Sequence, residues 1–184
     1  VYKRQAIFQD PFASFNPFYK VDRVLRNAYK LFENKVSENE KRKEIKRVLR
    51  LVGLDPDEVL GKHPFELSGG QMQRILLARC LLINPTVIIA DEPTSMIDAS
   101  MRVGVLNLLK ELSKEYDKSV IFVSHDISQS YYLSDRVLVM YKGRLVEQGP
   151  TEQVLSAPSH EYTRRLISDV PKLHERFVFV KARL

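Results

Sequence analysis

Three short apolar blocks, separated by segments of helical character, constrain the fold of this chain more than any other feature. The blocks cover residues 87–90, 120–123 and 137–140 and are mostly β-branched, which is typical of strands buried on both faces. A further helix is expected after Asp126, and one between the first two blocks is indicated by a stripe of Val103, Leu106, Leu109 and Leu112. Alternation of strands and helices predicts an α/β fold with a parallel sheet.

The rest of the chain is predicted to be mainly helical. A short strand-like start leads into a loop rich in proline and aromatic residues. Gly53 should end one helix, Ser68 should cap the next, and Gly143 indicates a hairpin after the third block. The additional helices are expected over residues 21–32, 45–52, 69–82, 151–156 and 160–168.

The composition excludes several protein classes. With 184 residues, of which 44% are hydrophobic and 28% charged, the chain can bury a sizeable core, so disorder is excluded. Its apolar runs are far shorter than the ~18 residues that cross a bilayer. The single cysteine, Cys80, favours a reducing compartment and is interpreted as core packing. The net charge of +6 is spread along the chain and is interpreted as a solvated surface.

Polar residues follow two of the apolar blocks, where a sheet of this kind binds ligands. Asp91 and Glu92 follow the first block, and His125 lies just after the second. Open α/β sheets bind ligands at the carboxyl ends of their strands. Two adjacent carboxylates are costly to place there without a cation or a substrate. We therefore favour a functional site over simple helix capping.

A second candidate site lies at the start of the third helix. Gly69 and Gly70 follow Ser68 and should leave backbone N–H groups bare at the positive end of the helix dipole, which suits an anion. Taken alone, this segment would be better interpreted as an ordinary N-cap with a glycine turn. The combination with the other motifs favours the anion site.

Taken in order, the motifs resemble those of the ATP-binding subunit of ABC transporters, over nearly the whole chain. The resemblance implies a partial P-loop NTPase fold of the ABC type, with a parallel sheet core and a helical subdomain. The matching residues are Gln9 (Q-loop), Ser68, Gly69, Gly70 and Gln71 (signature motif), Asp91 and Glu92 (Walker B), Asp98 (D-loop) and His125 (switch histidine).

The resemblance also implies the chemistry of these residues. Asp91 and Gln9 would hold Mg²⁺, which prefers few protein oxygens together with substrate phosphates. Glu92 would orient and deprotonate the attacking water, and His125 would donate to the γ-phosphate of ATP. In this family the signature motif of one subunit binds ATP held by the other, so a second ATP-binding subunit, identical or different, is an expected partner.

The two ends of the chain resemble one branch of the family. Residues 8–17 look like the Q-loop of oligopeptide and dipeptide importers, and residues 159–171 are similar to their C-terminal extension. The implied location is peripheral, on the cytoplasmic face of the cell membrane, in contact with permease subunits. Phe12 and Phe15 are candidates for that contact, with packing against the following helices as an equal alternative. Peptide is the favoured solute, with a sugar oligomer and a nickel chelate left open.

One family motif has no match in these 184 residues. The Walker A pattern Gly-x-x-x-x-Gly-Lys-Ser/Thr is absent, because Gly61-Lys62 is followed by His63. We therefore expect that the chain is the C-terminal part of a transporter ATPase, that it is inactive by itself, and that it exposes apolar sheet surface and associates. Its expected domains are a Q-loop segment (1–17), a helical subdomain (18–84), half of the catalytic core (85–150) and a C-terminal helical extension (151–184).

Two other functions use the same motifs. A soluble ABC ATPase acting on nucleic acid or ribosomes would suit the basic charge, although the Q-loop and the tail argue against it, and no nucleic acid is expected as a partner. A non-hydrolytic module that only supplies a signature motif to a partner is the third possibility.

Overall fold

A computed structural model of the protein describes residues 3–31 and 36–170, which form two compact units that divide between His125 and Asp126. Within these residues, no helix is long and apolar enough to cross a membrane. Phe32 of the predicted first helix and the end of the predicted tail from Pro171 onward lie outside the described residues.

The first unit contains a three-stranded parallel sheet. Its strands are β1 (Arg4–Ile7), β2 (Val87–Asp91) and β3 (Ser119–Val123), in the order β1-β2-β3. In the register of the sheet, Ala90 of β2 lies between Ile7 and Phe122. The parallel pairing predicted for the first two apolar blocks is therefore confirmed.

The two faces of this sheet are covered to different extents. Ile7, Ile88 and Ala90 are buried, with α4 (Gly69–Ile83) packed against β1 and α5 (Ala99–Lys114) against β3. Ile121 and Val123 are 53% and 47% exposed. Burial of both faces, predicted from the apolar run, is therefore wrong for β3. An uninterrupted run of apolar residues does not specify how many of its faces are covered.

The other α-helices described in this unit precede α4 in sequence. They are α1 (Asp22–Ala28), α2 (Glu38–Leu51) and the one-turn α3 (Pro56–Val59). Ser37 and Glu40 form a capping box at the start of α2, and Gly53, just beyond its end, has a φ of +72°. α1 and α2 contact α4 around a fully buried core of Leu25, Val48, Leu49, Met72 and Ile75.

Two helical predictions in this unit need correction. The first helix ends at Ala28, and a 3-10 turn follows over Tyr29–Leu31, because one turn of apolar spacing fits the tighter helix equally well. Val103 of α5 is exposed, although it was assigned to the buried stripe. Each step of three residues rotates about 60° away from a full helical turn. Residues spaced by three along α5 therefore turn gradually around the helix, and Val103 lies outside the buried face that contains Leu109.

In its described part, residues 126–170, the second unit contains a hairpin and three short helices. β4 (Arg136–Tyr141) pairs antiparallel with β5 (Arg144–Pro150) across Lys142 and Gly143, which both have positive φ. The hairpin prediction is confirmed. The third apolar block, however, pairs only with β5 among the described strands, and Leu138 and Met140 are exposed, so its assignment to the parallel sheet is wrong. The helices are α6 (Ile127–Leu133), α7 (Thr151–Ser156) and α8 (Glu161–Ser168).

Candidate functional site

Glu92 lies at the carboxyl end of the parallel sheet, directly after β2. Its φ is +43°, a strained conformation for a residue other than glycine. Its backbone N–H donates to the carbonyl of Val123 (2.9 Å), and its own carbonyl accepts from the backbone N–H and the hydroxyl of Ser95 (3.1 and 3.0 Å). Backbone bonds on both sides therefore hold Glu92 in this conformation.

The Glu92 carboxylate contacts two of the other predicted site residues. Its Oε2 accepts a hydrogen bond from Nε2 of Gln9 (2.9 Å), and its Oε1 lies 2.6 Å from Nδ1 of His125. A carboxylate only accepts hydrogen bonds, so Nδ1 carries the proton in this contact and Nε2 is the ring atom not committed to Glu92. The Glu92 side chain is 21% exposed, whereas that of His125 is 80% exposed.

Parallel pairing brings these three residues together. Gln9 comes two residues after β1, Glu92 one residue after β2 and His125 two residues after β3. Because parallel strands end at the same edge of a sheet, separations of 33 and 83 residues in sequence become hydrogen-bond distances. We name Gln9, Glu92 and His125 the carboxylate cluster.

Asp91 is the last residue of β2 and is half-buried. Its register partner is Val123, so it lies on the less covered face of the sheet. Among residues 3–31 and 36–170, no group of three histidine, cysteine, aspartate or glutamate side chains is arranged to hold a metal ion.

The signature segment begins α4 with a capping box. Ser68 Oγ accepts from the Gln71 N–H (3.2 Å), and Gln71 Oε1 accepts from the Ser68 N–H (3.0 Å). The expectation that the N–H groups of this segment are bare is therefore wrong for Gln71, because the cap uses its donor. The N–H groups of Gly69 and Gly70 take no part in the capping box.

Gly70 also lies close to the backbone of the D-loop. A Cβ atom on Gly70 would be 3.2 Å from the Met96 carbonyl oxygen and 3.6 Å from Cα of Ile97, and one on Gly69 would be 3.6 Å from Cβ of Met96. The sequence pattern at the two glycines indicates an anion site, with an N-cap and glycine turn as the alternative. Their second role, close approach to the D-loop, depends on a contact that no sequence pattern specifies.

Arg74 connects the signature helix to its surroundings. Its Nε donates to the Gly70 carbonyl (3.2 Å) and its Nη1 to the Gly53 carbonyl (2.9 Å). Burial lowers the pKa of the Arg74 guanidinium, and the negative charge of Asp98 opposes this effect. Asp98 lies just before α5. Its effect on Arg74 shows that its negative charge lies close to α4, the helix that begins with the signature segment.

The two aromatic candidates of the Q-loop have different environments. Phe15 is buried (7% exposed), which favours the packing alternative for this residue. Phe12 is 54% exposed, and its Cε2 lies 3.7 Å from the position of a Cβ on Gly69. Phe12 therefore remains the candidate for contact with another protein.

Sequence analysis missed Gln73. This residue lies on α4, is 2% exposed and donates from Nε2 to the backbone carbonyl of Phe8 (3.2 Å). The available signal was a glutamine within an otherwise apolar stretch of the helix, from Met72 to Leu77 apart from Arg74.

The comparison with protein families agrees with this arrangement. The model of the ABC transporter family matches residues 7–95, which include Gln9, the signature segment and Glu92. This match places a segment of the chain, slightly less than half of it, in the ABC transporter family. The parallel sheet and the helices of the first unit are those of a partial ABC domain.

Curated ABC transporter proteins are similar to nearly the whole chain. The dipeptide transport ATP-binding protein DppF of Haemophilus influenzae is 43% identical over 93% of the chain and 52% of its own length. The oligopeptide transport ATP-binding protein OppF of Escherichia coli is 44% identical over 91% of the chain and 50% of its own length. The chain thus spans about half the length of the curated relatives it matches.

Solved ABC structures share the fold. The ATP-binding cassette MJ0796, in a dimeric post-hydrolysis state bound to ADP and Pi, superimposes with a TM-score of 0.74 at 29% identity, over 81% of this chain and 63% of that one. The ABC transporter protein cbiO1 of Clostridium perfringens gives a TM-score of 0.69 at 30% identity, over 92% and 64%.

Proposed function

We propose that this chain is part of an ATP-binding subunit that hydrolyses ATP to drive the import of oligopeptides or dipeptides. The observation that carries the proposal is the position of Glu92 between Gln9 and His125 at the carboxyl end of a parallel sheet. Support for the solute comes from the relatives, whose names describe dipeptide and oligopeptide transport.

In this function Glu92 orients the attacking water and accepts its proton. The backbone bonds to Val123 and Ser95 fix the position of the carboxylate before the reaction. With both ring nitrogens protonated, His125 donates from Nδ1 to one carboxylate oxygen of Glu92 and from Nε2 to the γ-phosphate, where negative charge must be stabilised. The two residues thus act from the ends of neighbouring strands.

The oxygen donors beside Glu92 fit Mg²⁺. Asp91 offers a carboxylate, and Gln9 contacts Glu92 through Nε2 and not through its oxygen, Oε1. Mg²⁺ keeps several bound waters and also binds substrate phosphates, so it needs few protein ligands. This small set of protein oxygens therefore suits Mg²⁺ better than a cation that needs many protein ligands. Bound Mg²⁺ would neutralise phosphate charge, while Asp91 and Gln9 hold it beside Glu92.

The signature segment serves a second nucleotide. We propose that Ser68, Gly69, Gly70 and Gln71, with Asp98, contact ATP held by a second ATP-binding subunit. The N–H groups of Gly69 and Gly70 and the dipole of the fifteen-residue helix α4 favour an anion there. One subunit then completes the site of the other.

The remaining partners are permease subunits at the cytoplasmic face of the cell membrane. Exposed Phe12 lies close to the signature glycines, so a permease segment that touches it would contact the Q-loop beside the nucleotide-binding region. We propose four segments with distinct roles. Residues 1–17 couple the subunit to the permease, and residues 18–84 contain the signature motif. Residues 85–150 perform catalysis, and residues 151–184 form the extension of the peptide-importer type.

Reconstitution of the full-length protein with its permease in lipid vesicles tests the proposal. We expect Mg²⁺-dependent ATP hydrolysis that increases when a binding protein loaded with peptide is added, and no turnover by the 184-residue chain alone. Absence of Mg²⁺-dependent hydrolysis in the full-length protein would contradict the proposal. Hydrolysis stimulated by DNA or RNA in a salt-sensitive way would favour the alternative class of soluble ABC ATPases.

A further inference from the structure

Gln73 is a buried polar side chain that the proposed mechanism leaves without a role. It lies within α4, among the fully buried Met72 and Ile75, and is itself 2% exposed. Its Oε1 is buried and has no hydrogen-bond partner among the described residues. A buried amide that is half satisfied destabilises a fold relative to an apolar side chain of the same size, so packing alone does not account for a glutamine here.

Among the described residues, the hydrogen bond that this amide makes is directed at the Q-loop. Nε2 of Gln73 donates to the carbonyl of Phe8 at 3.2 Å, across 65 residues of sequence. Phe8 is the first residue after β1 and belongs to the same peptide unit as the N–H of Gln9. The bond therefore fixes the peptide plane from which the Gln9 side chain extends.

Gln73 also lies close to the signature segment. It is five residues beyond the cap residue Ser68, or about 7.5 Å along the axis of α4. A rigid helix transmits a displacement of its first turn to Gln73, and Gln73 transmits it to Phe8 and Gln9. Gln9 in turn contacts Oε2 of Glu92 at 2.9 Å.

We propose that Gln73 is a positioning residue that ties the placement of Gln9 in the carboxylate cluster to the signature helix. The inference rests on the proposed ATPase function, because it gives Gln9 a role in catalysis. Gln73 itself touches neither nucleotide nor cation; it acts through the Phe8 carbonyl and Gln9. Removal of the amide should leave the helix in place and release the start of the Q-loop.

The test uses Gln73→Met, which keeps the length of the side chain and removes its donor, in the full-length protein assembled with its permease. Gln5→Met makes the same change on β1 and is the matched control. We expect Gln73→Met to lower kcat about tenfold with KM for ATP nearly unchanged, as for the loss of one hydrogen bond that acts on the reacting groups. Gln5→Met should retain the parent kcat.

A double-mutant cycle separates positioning from stability. If Gln73 acts through Gln9, then Gln73→Met lowers kcat no further in a Gln9→Ala background. Equal effects in the two backgrounds, or an unchanged kcat for Gln73→Met, would overturn the inference.

A second measurement does not depend on ATP hydrolysis. Amide hydrogen exchange of residues 8–10 should be faster in Gln73→Met than in the parent or in Gln5→Met, while exchange in α2, which packs on α4, stays unchanged. Unchanged exchange at residues 8–10 would overturn the inference. If the parent showed no ATPase activity, the proposed function would fail, and this measurement would still decide whether Gln73 holds the Q-loop.

Discussion

Oε1 of Glu92 lies 2.6 Å from Nδ1 of His125, although the two residues are 33 positions apart in sequence. The contact forms because β2 and β3 run parallel and end at the same edge. It also explains how an 80% exposed histidine side chain keeps a defined orientation. Nδ1 of His125 is committed to Glu92, so Nε2 is the ring nitrogen that we propose acts on the γ-phosphate.

We predict that His125→Ala slows ATP hydrolysis by the full-length protein by about two orders of magnitude, as for the loss of one preorganised donor to developing charge. His160→Ala is a control for the removal of an imidazole, because His160 caps α8 in the second unit through its own Nδ1. Steady-state kinetics should show a loss in kcat for His125→Ala only. Equal kcat values in the two variants would argue against a catalytic role for His125.

Gly70→Ala should destabilise the 184-residue chain by about 1 kcal/mol, because the new Cβ would lie 3.2 Å from the Met96 carbonyl. Gly104→Ala is the matched control: Gly104 lies within α5 and has open space around it. There the higher helix propensity of alanine should stabilise the chain by about 0.5–1 kcal/mol. Urea unfolding measures both changes, and a stabilising Gly70→Ala would contradict close contact with the D-loop.

Much of this arrangement could be predicted from the sequence, and the limits have physical causes. The helix cap at Ser68, the helix after Asp126 and the turn at Gly143 depend on local chemistry, so the sequence predicts them correctly. The exposure of Val103 depends on which elements cover α5. The pairing of β4 with β5, and with no other described strand, depends on which strands lie beside β4. Local patterns contain little information about those neighbours.

The candidate site divides in the same way. Glu92 and His125 could be predicted because each follows a strand of a parallel sheet, whereas Gln9 was indicated by the resemblance to the Q-loop of ABC ATP-binding subunits. The bond from Gln73 to the Phe8 carbonyl could not, since a backbone acceptor leaves no mark on the sequence. For the same reason, the close approach of Gly70 to the D-loop required coordinates.

Burial raises the pKa of the Cys80 thiol to about 12, which predicts very slow reaction with thiol reagents in the folded chain. At pH 8 only about one thiol in ten thousand would be ionised. In the unfolded chain the pKa is about 8.5, so unfolding releases a proton above that pH, and stability falls as the pH rises from about 8.5 toward 12. Labelling of Cys80 at pH 8 in increasing urea should follow unfolding; rapid labelling without urea would contradict the buried position.

Exposed apolar residues on β3 should promote self-association of the 184-residue chain. Ile121 and Val123 point to the less covered face of the sheet, beside the half-buried Ile89 of β2. We expect the pair Ile121→Thr and Val123→Thr to lower the apparent mass in light scattering at a given concentration. Val103→Thr replaces an exposed apolar residue on α5 and is the control. An equal decrease in mass for the control would show that this sheet face is not the cause.

Hydrolysis by Glu92→Gln in the full-length protein tests the central claim most directly. Glutamine keeps the shape of the side chain and cannot act as a base, so single-turnover hydrolysis of ATP should slow by at least about a thousandfold while ATP stays bound. Glu115→Gln, an exposed change at the end of α5, should leave the rate unchanged. Retention of the parent rate in Glu92→Gln, or loss of ATP binding in place of slow hydrolysis, would contradict the assignment of Glu92 as the catalytic base.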